Sequence, residues 1–299
     1  MERYLIINAD DFGMCHAGNM AVFDLLQKGG ITSATIMAPC PWAKEAALFA
    51  ANHPEYAIGL HLTTTSEWGT YRWGPVSRGD VSSLIDEEGF MWHESDQFEK
   101  AADLAQVEAE IDAQYDKLAQ FGFTPSHFDN HMGSLYGVAT GRFELLEVAI
   151  RACAKHGGMP FRFPSKFTEE QFTNKMLDIQ VPKEVVLGLL DQVTAGATAA
   201  GVAVLDYLMP GDWDGPQADS YENYREYIFE KYRAFPEGII ETYIHPVIEC
   251  DEVKAICGSW QRRNWEYKLF SDPKTREFIE SIGIKLINYR DLKRMRFGG

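Results

Sequence analysis

Two adjacent acids, Asp10 and Asp11, end a short apolar run near the N-terminus, in Asn8-Ala9-Asp10-Asp11-Phe12-Gly13. Like charges side by side are costly unless a cation offsets them. Imidazoles recur in similar settings: His61 in Gly59-Leu60-His61-Leu62, His127 and His131 in Ser126-His127-Phe128-Asp129-Asn130-His131, and His245 in Tyr243-Ile244-His245-Pro246. One carboxylate and two imidazoles from separate segments make a three-ligand site with open positions, the composition of a catalytic zinc-like or other divalent-metal centre. Such an ion lowers the pKa of water and polarises a carbonyl. A second carboxylate can then accept a proton from that water, and a separate histidine can protonate a leaving group. Pattern alone does not choose between His127 and His131 as the third ligand. Asp11-Phe12-Gly13 also spells a kinase triplet, but no kinase glycine loop or His-Arg-Asp segment accompanies it. His16, His53, His93 and His156 fall in helical or loop surroundings and read as surface residues, with His16 set apart by its place in the loop after the acids.

For these groups to meet, they must sit where parallel strands end and the next loops begin. Apolar runs at 4–9, 31–37, 57–62, 126–129, 161–163, 202–207, 239–244 and 284–287 read as strands. Between them, helical spacing covers 18–28, 42–52, 104–121, 143–155, 169–175, 183–200, 221–234, 252–256, 264–270 and 274–282. The helix at 104–121 is the clearest, with Leu104, Val107, Ile111, Tyr115 and Leu118 on one face. This alternation predicts an α/β protein with a parallel sheet, a single domain over residues 1–299. Seven or eight such units suit a barrel related to the TIM barrel better than a doubly wound open sheet. Residues 63–103 break the rhythm, with four glycines, Trp68, Trp73, Trp92 and no sustained period. A loop that long is usually functional or has structure of its own. Its place directly after His61 predicts a lid or wall beside the site, with an ordinary surface insertion as the alternative.

Bulk properties narrow the function classes. Hydrophobic residues make up 45% of the 299 and charged residues 24%, a globular balance. No apolar run approaches the roughly 18–20 residues of a membrane span, and the run at 4–9 is too short for a leader peptide. Five scattered cysteines without a Cys-x-x-Cys pair speak against a disulfide framework or a cysteine zinc site, and a cytoplasmic protein is expected. A net charge of −16 repels nucleic acid phosphates and anionic membrane surfaces, and says little about neutral ligands. A homodimer is expected on general frequency alone.

Taken together, the segments around Asp10 and Asp11, His61, His127 to His131, and Glu241 to Pro246 resemble the YdjC-like carbohydrate deacetylase family, which includes chitooligosaccharide deacetylases and the deacetylase of hopanoid biosynthesis. They occur in the family's order, from residue 4 to about residue 290. The resemblance implies a deformed TIM-like barrel and a divalent metal, Mg²⁺ or Zn²⁺, serving hydrolysis of an N-acetyl group on a small carbohydrate. By position it implies Asp11, His61 and His127 as metal ligands, Asp10 as general base and His245 as proton donor to the departing amine. Arg162 matches an arginine that orients Asp10 or binds substrate; His131 stands as a close substitute or an outer partner, and Asp129 as an outer partner. Met132-Gly133-Ser134 replaces a stretch where many members carry a further histidine, and Val247 stands where many have glycine. These departures bear on the substrate rather than the metal set. Two rivals remain: a metal-dependent hydrolase of another ester, amide or phosphoester, disfavoured by the scarcity of basic residues besides Arg162, and a non-catalytic carbohydrate-binding protein, disfavoured by the second acid.

Overall fold

The strands are β1 (Arg3–Phe12), β2 (Ser33–Ile36), β3 (Ala57–Leu62), β4 (Phe128–Asn130), β5 (Tyr207–Leu208), β6 (Gly238–Ile244) and β7 (Ile284–Leu286), with β-branched apolar residues concentrated in β1 and β6. The helices between them are α1 (His16–Lys28), α2 (Ala43–Asn52), α3 (Ser95–Ala101), α4 (Leu104–Ala119), α5 (Glu144–Lys155), α6 (Glu169–Thr173) and α7 (Lys183–Ala199), then α8 (Tyr221–Arg233), α9 (Asp251–Ile256), α10 (Trp260–Ser271), α11 (Pro273–Ser281) and α12 (Tyr289–Phe297). The computed structural model describes residues 2–173 and 182–298, so the end of the helix expected at 169–175 lies outside the described residues.

Every strand pairing is parallel, in the order β4-β3-β2-β1-β6-β5, with β7 joined to the start of β1. Bridges Phe128–Phe161 and Pro164–Leu205 carry the pairing onward from β4 towards β5. The Arg162 amide donates to Phe128 O at 3.0 Å and the Leu205 amide to Phe163 O at 3.0 Å. The sheet therefore curls round on itself, as the expected deformed TIM-like barrel does, and the open doubly wound sheet is set aside. Among the described residues no helix is long and apolar enough to cross a membrane.

Alternate residues of each strand divide two environments. Leu5, Ile7 and Ala9 of β1 pack with Val22 and Leu25 of α1 in the main apolar core. Ile6, on the opposite face, joins Leu205, Ile239, Tyr289 and Leu292 in a separate cluster towards the start of the strands. Above that plug the inner face turns polar, with Asn8 and Asp10 on β1, His61 on β3 and Glu241 on β6 all buried. The apolar plug supports the fold from below and leaves the strand ends for chemistry.

The local signals explain most boundaries. Helix α1 begins at His16 rather than 18 because Cys15 is extended and its Sγ accepts from the Gly18 amide at 3.4 Å. It ends where Gly29 adopts φ 69°, a conformation glycine reaches without steric cost. The 63–103 insert has structure of its own: α3 and the bridges Thr65–Trp92 and Ile85–Met91. Gly59 answers a packing need, since a Cβ there would lie 2.5 Å from His127 O and 2.7 Å from its ring. Gly59→Ala is expected to lower stability by about 1–3 kcal/mol, the usual overpacking cost, read as a drop of several degrees in thermal midpoint. An unchanged midpoint would mean that the two strands are less tightly apposed.

Candidate active site

A regular strand sends adjacent side chains to opposite faces, so Asp10 and Asp11 should not share a site. The chain solves this with a bulge. Ala9 pairs with Ala34 and Phe12 with Ile36, three residues of β1 against two of β2. Asp11 takes φ 60°, a conformation that aspartate tolerates better than most residues. Both carboxylates now line one cavity of about 450 Å³, together with His61, His131, Arg162 and His245.

At its base the donors converge. Asp11, His61 and His131 each offer one atom, all within 4.8 Å of one another. Asp11 Oδ1 stands 3.6 Å from His61 Nε2 and 3.4 Å from His131 Nδ1, and has no hydrogen-bond partner. The other nitrogen of each ring is held by a carboxylate: His61 Nδ1 donates to Asp129 Oδ1 at 2.6 Å, and His131 Nε2 to Glu67 Oε2 at 2.9 Å. The chemistry and crowding of these donors fit a divalent cation. A second group, Asp10 with His61 and Asp129, fits less well because its oxygens are already engaged. Arg162 takes both Asp10 oxygens at 2.7 and 2.6 Å, while Thr35 donates to Asp129 Oδ2 at 2.8 Å and Arg162 pairs with the same oxygen at 2.8 Å.

His127 is absent from both groups. Its ring stacks on Tyr289 with centroids 3.7 Å apart, Nδ1 lies 2.9 Å from Ser126 Oγ, and Nε2 lies 3.3 Å from Asn8 Oδ1. Burial, reinforced by Arg162, pushes its pKa well below the usual imidazole range. The structure thus brings Asp11 and His61 together with His131 and leaves the His127 ring outside that donor group. His127 directly precedes β4 and His131 directly follows it, so the three-residue strand separates them along the bore, with His127 at the deep end and His131 at the rim. His16 is also outside the site, exposed on α1 and paired with Glu45 at 3.0 Å. His93 and His156 are partly buried rather than on the surface, bonded to Arg72 and Asp112 respectively.

Arg162 is the hub of the buried layer. Its guanidinium touches Asp10, Asp129 and Glu241 at 2.6, 2.8 and 2.7 Å. Burial works against ionising Asp10, yet Arg162 and His61 hold its carboxyl down at about 2. Burial pushes Glu241 up to about 7, against the pull of Arg162 and the Tyr289 hydroxyl that donates to it. Burial likewise opposes ionisation of Asp11, and Arg263, 2.6 Å away, overrides it and keeps the group well below the usual carboxylate range. His131 is pushed up to about 10, because Glu67 and Asp11 overcome the effect of burial. The two acids favour positive charge at that ring. His245, at the end of β6, has its pKa lowered by burial despite Asp11, and its Nδ1 is unpartnered.

Comparison with known proteins shows the family. The family model described as YdjC-like protein matches residues 4–281. The chain belongs to the YdjC-like family. Among curated YdjC-like relatives, a carbohydrate deacetylase of Enterococcus faecalis is 29% identical over 97% of this chain and 98% of its own. One from Geobacillus stearothermophilus is 31% identical over 67% of this chain and 78% of its own. A chitooligosaccharide deacetylase of Yersinia enterocolitica is 24% identical over 97% of this chain and 100% of its own. A crystal structure from Enterococcus faecalis V583 superposes with TM-score 0.74 at 27% identity, covering 98% of this chain and 99% of that one.

In this YdjC-like chain the sequence reading missed Glu67, Arg263 and the charge role of Glu241. Arg263 sits within α10, far from any strand end, and nothing in its spacing ties it to Asp11. Glu241 was findable: it precedes Tyr243 and His245 by two and four residues on one strand face. The raised Glu241 carboxyl makes a pH signature. The folded state binds its proton more tightly than the unfolded chain, so that stabilisation is present below about 4.5 and is lost as pH rises through about 7. Wild type is expected to lose stability relative to Glu241→Gln between pH 5 and 7.5 in urea unfolding. Parallel stability curves would place the proton elsewhere.

Proposed function

We propose that this protein is a metal-dependent hydrolase that removes N-acetyl groups from an amino sugar or short oligosaccharide. In this reading Asp11, His61 and His131 hold the divalent ion, Mg²⁺ or Zn²⁺. The observation that carries it is the unpartnered Asp11 Oδ1, facing two imidazoles that are each backed by a carboxylate. The same cavity brings Asp10 and His245 to that cluster. The names of the full-length relatives support acetyl as the group removed and carbohydrate as the carrier.

A divalent ion bound there supplies Lewis acidity towards water and a carbonyl oxygen. The protein's own groups do the rest. Asp10 is the general base: Arg162 and the Asn8 amide, 2.8 Å away, fix its oxygens and keep it ionised at working pH. A base held by a guanidinium is weak but well oriented, which suits a water already made acidic. Burial favours the neutral His245 ring, so in the cycle it takes a proton from solvent and passes it to the amine as the C–N bond breaks, while the proton that Asp10 accepts from water returns to solvent. Acetate and a free amino sugar are the products. The Trp213 ring, 5.3 Å from the His245 ring, and Tyr243 offer faces on which a pyranose can stack. The five unpaired cysteines suit a cytoplasmic location, which is part of the proposal.

Acetate release from short N-acetylglucosamine oligomers tests the reading. Chelation is expected to abolish release and added metal to restore it. Asp10→Asn should lower turnover about 10²–10⁴-fold, the usual contribution of a general base, while retaining metal. Near-normal turnover in that variant would move the base to another residue, and full activity under chelation would overturn the metal role.

A further inference from the structure

Glu67 is the first charged residue of the insert, five positions after β3 ends. Its carboxylate accepts from His131 Nε2 at 2.9 Å, and its side chain is largely buried against the cavity. Because an ionised carboxylate only accepts hydrogen bonds, this contact fixes a hydrogen on Nε2. It thereby turns Nδ1 towards Asp11 Oδ1, 3.4 Å away. Asp129 treats His61 in the mirrored sense, holding Nδ1 and leaving Nε2 towards the same oxygen, 3.6 Å away. The two rings are thus presented through different nitrogens by two carboxylates from different parts of the chain.

The rest of the insert is built to hold Glu67 still. The Ser66 amide donates to Trp92 O at 2.8 Å, and Ser66 Oγ accepts from the Trp73 amide at 3.1 Å. Trp73 Nε1 donates to Thr65 O at 2.9 Å, and its ring lies edge-on to His131 with centroids 6.0 Å apart. Arg72 donates to His93 Nε2 at 2.7 Å and to Met91 O at 2.6 Å, and pairs with Asp86 at 2.7 Å. His93 Nδ1 in turn lies 3.3 Å from Glu67 O. A mobile cover would not need this network around one residue.

We propose that Glu67 is a positioning residue for the metal site, and that the 63–103 insert is a fixed clamp which sets the orientation of His131. This rests on the metal-ligand reading above and adds the origin of one ligand's geometry. Glu67 touches no substrate in this account, and it acts through His131.

The test is Co²⁺ binding to the full chain, followed by calorimetry and visible absorption. Loss of a carboxylate behind a ligating histidine typically weakens metal affinity 10–100-fold. Glu67→Ala is expected to fall in that range with an altered Co²⁺ spectrum. Glu67→Gln, which keeps an acceptor oxygen, should recover much of the affinity and the wild-type band shape. Circular dichroism and thermal melts of the metal-free proteins report folding, and Arg72→Lys offers a milder loosening of the same clamp should Glu67→Ala misfold. Excess metal should restore kcat in Glu67→Ala with little change in KM. Equal Co²⁺ affinity and spectra for wild type, Glu67→Ala and Glu67→Gln would overturn the role of Glu67 and leave the deacetylase reading standing. Failure of wild type to bind Co²⁺ would overturn both.

Discussion

Four buried carboxylates, from Asp10, Asp11, Asp129 and Glu241, crowd the inner end of this barrel, with a fifth, from Glu67, partly buried at the cavity wall. Each buried charge costs several kcal/mol unless it is paired and hydrogen-bonded. Two guanidiniums answer most of that demand: Arg162 among Asp10, Asp129 and Glu241, and Arg263 against Asp11. A proton retained on Glu241 relieves the Arg162 cluster further. Of these carboxylates, Asp11 keeps one buried oxygen, Oδ1, without a hydrogen-bond partner. In the proposed reading, a divalent cation answers that oxygen.

Architecture and chemistry are linked through strand periodicity. Parallel strands with an apolar outer face and a mixed inner face give a bore whose floor is Ile6, Ile239 and Tyr289 and whose upper layers are polar. Only a departure from that periodicity brings Asp11 beside Asp10. The bulge and the positive φ of Asp11 have a counterpart across the site, where Met132, directly after His131, also takes a positive φ of 53°. Unusual backbone at both flanks of the donor cluster is the pattern expected where local strain is used to aim side chains.

The barrel, its parallel sheet and most helix positions were legible in the sequence, because apolar period and turn residues report burial directly. The segments carrying Asp10, Asp11, His61 and His245 could be found for the same reason, since they mark strand ends. Depth along a strand is not written in residue type, so His127 and His131 were indistinguishable until the register with β3 was known. The contributions of Glu67 and Arg263 depend on how the insert and α10 fold back over the rim. No local pattern encodes that return. Helix α12, whose Tyr289 stacks on His127 and donates to Glu241, was overlooked although Asn288 and Asp291 form a capping box at its start.

The identity of the metal ligands is the point on which the rest turns, and anomalous diffraction from crystals soaked in Mn²⁺ or Zn²⁺ examines it directly. The account predicts one strong peak bounded by Asp11 Oδ1, His61 Nε2 and His131 Nδ1, with His127 still stacked on Tyr289. A peak coordinated by His127, or none within reach of Asp11, would contradict it.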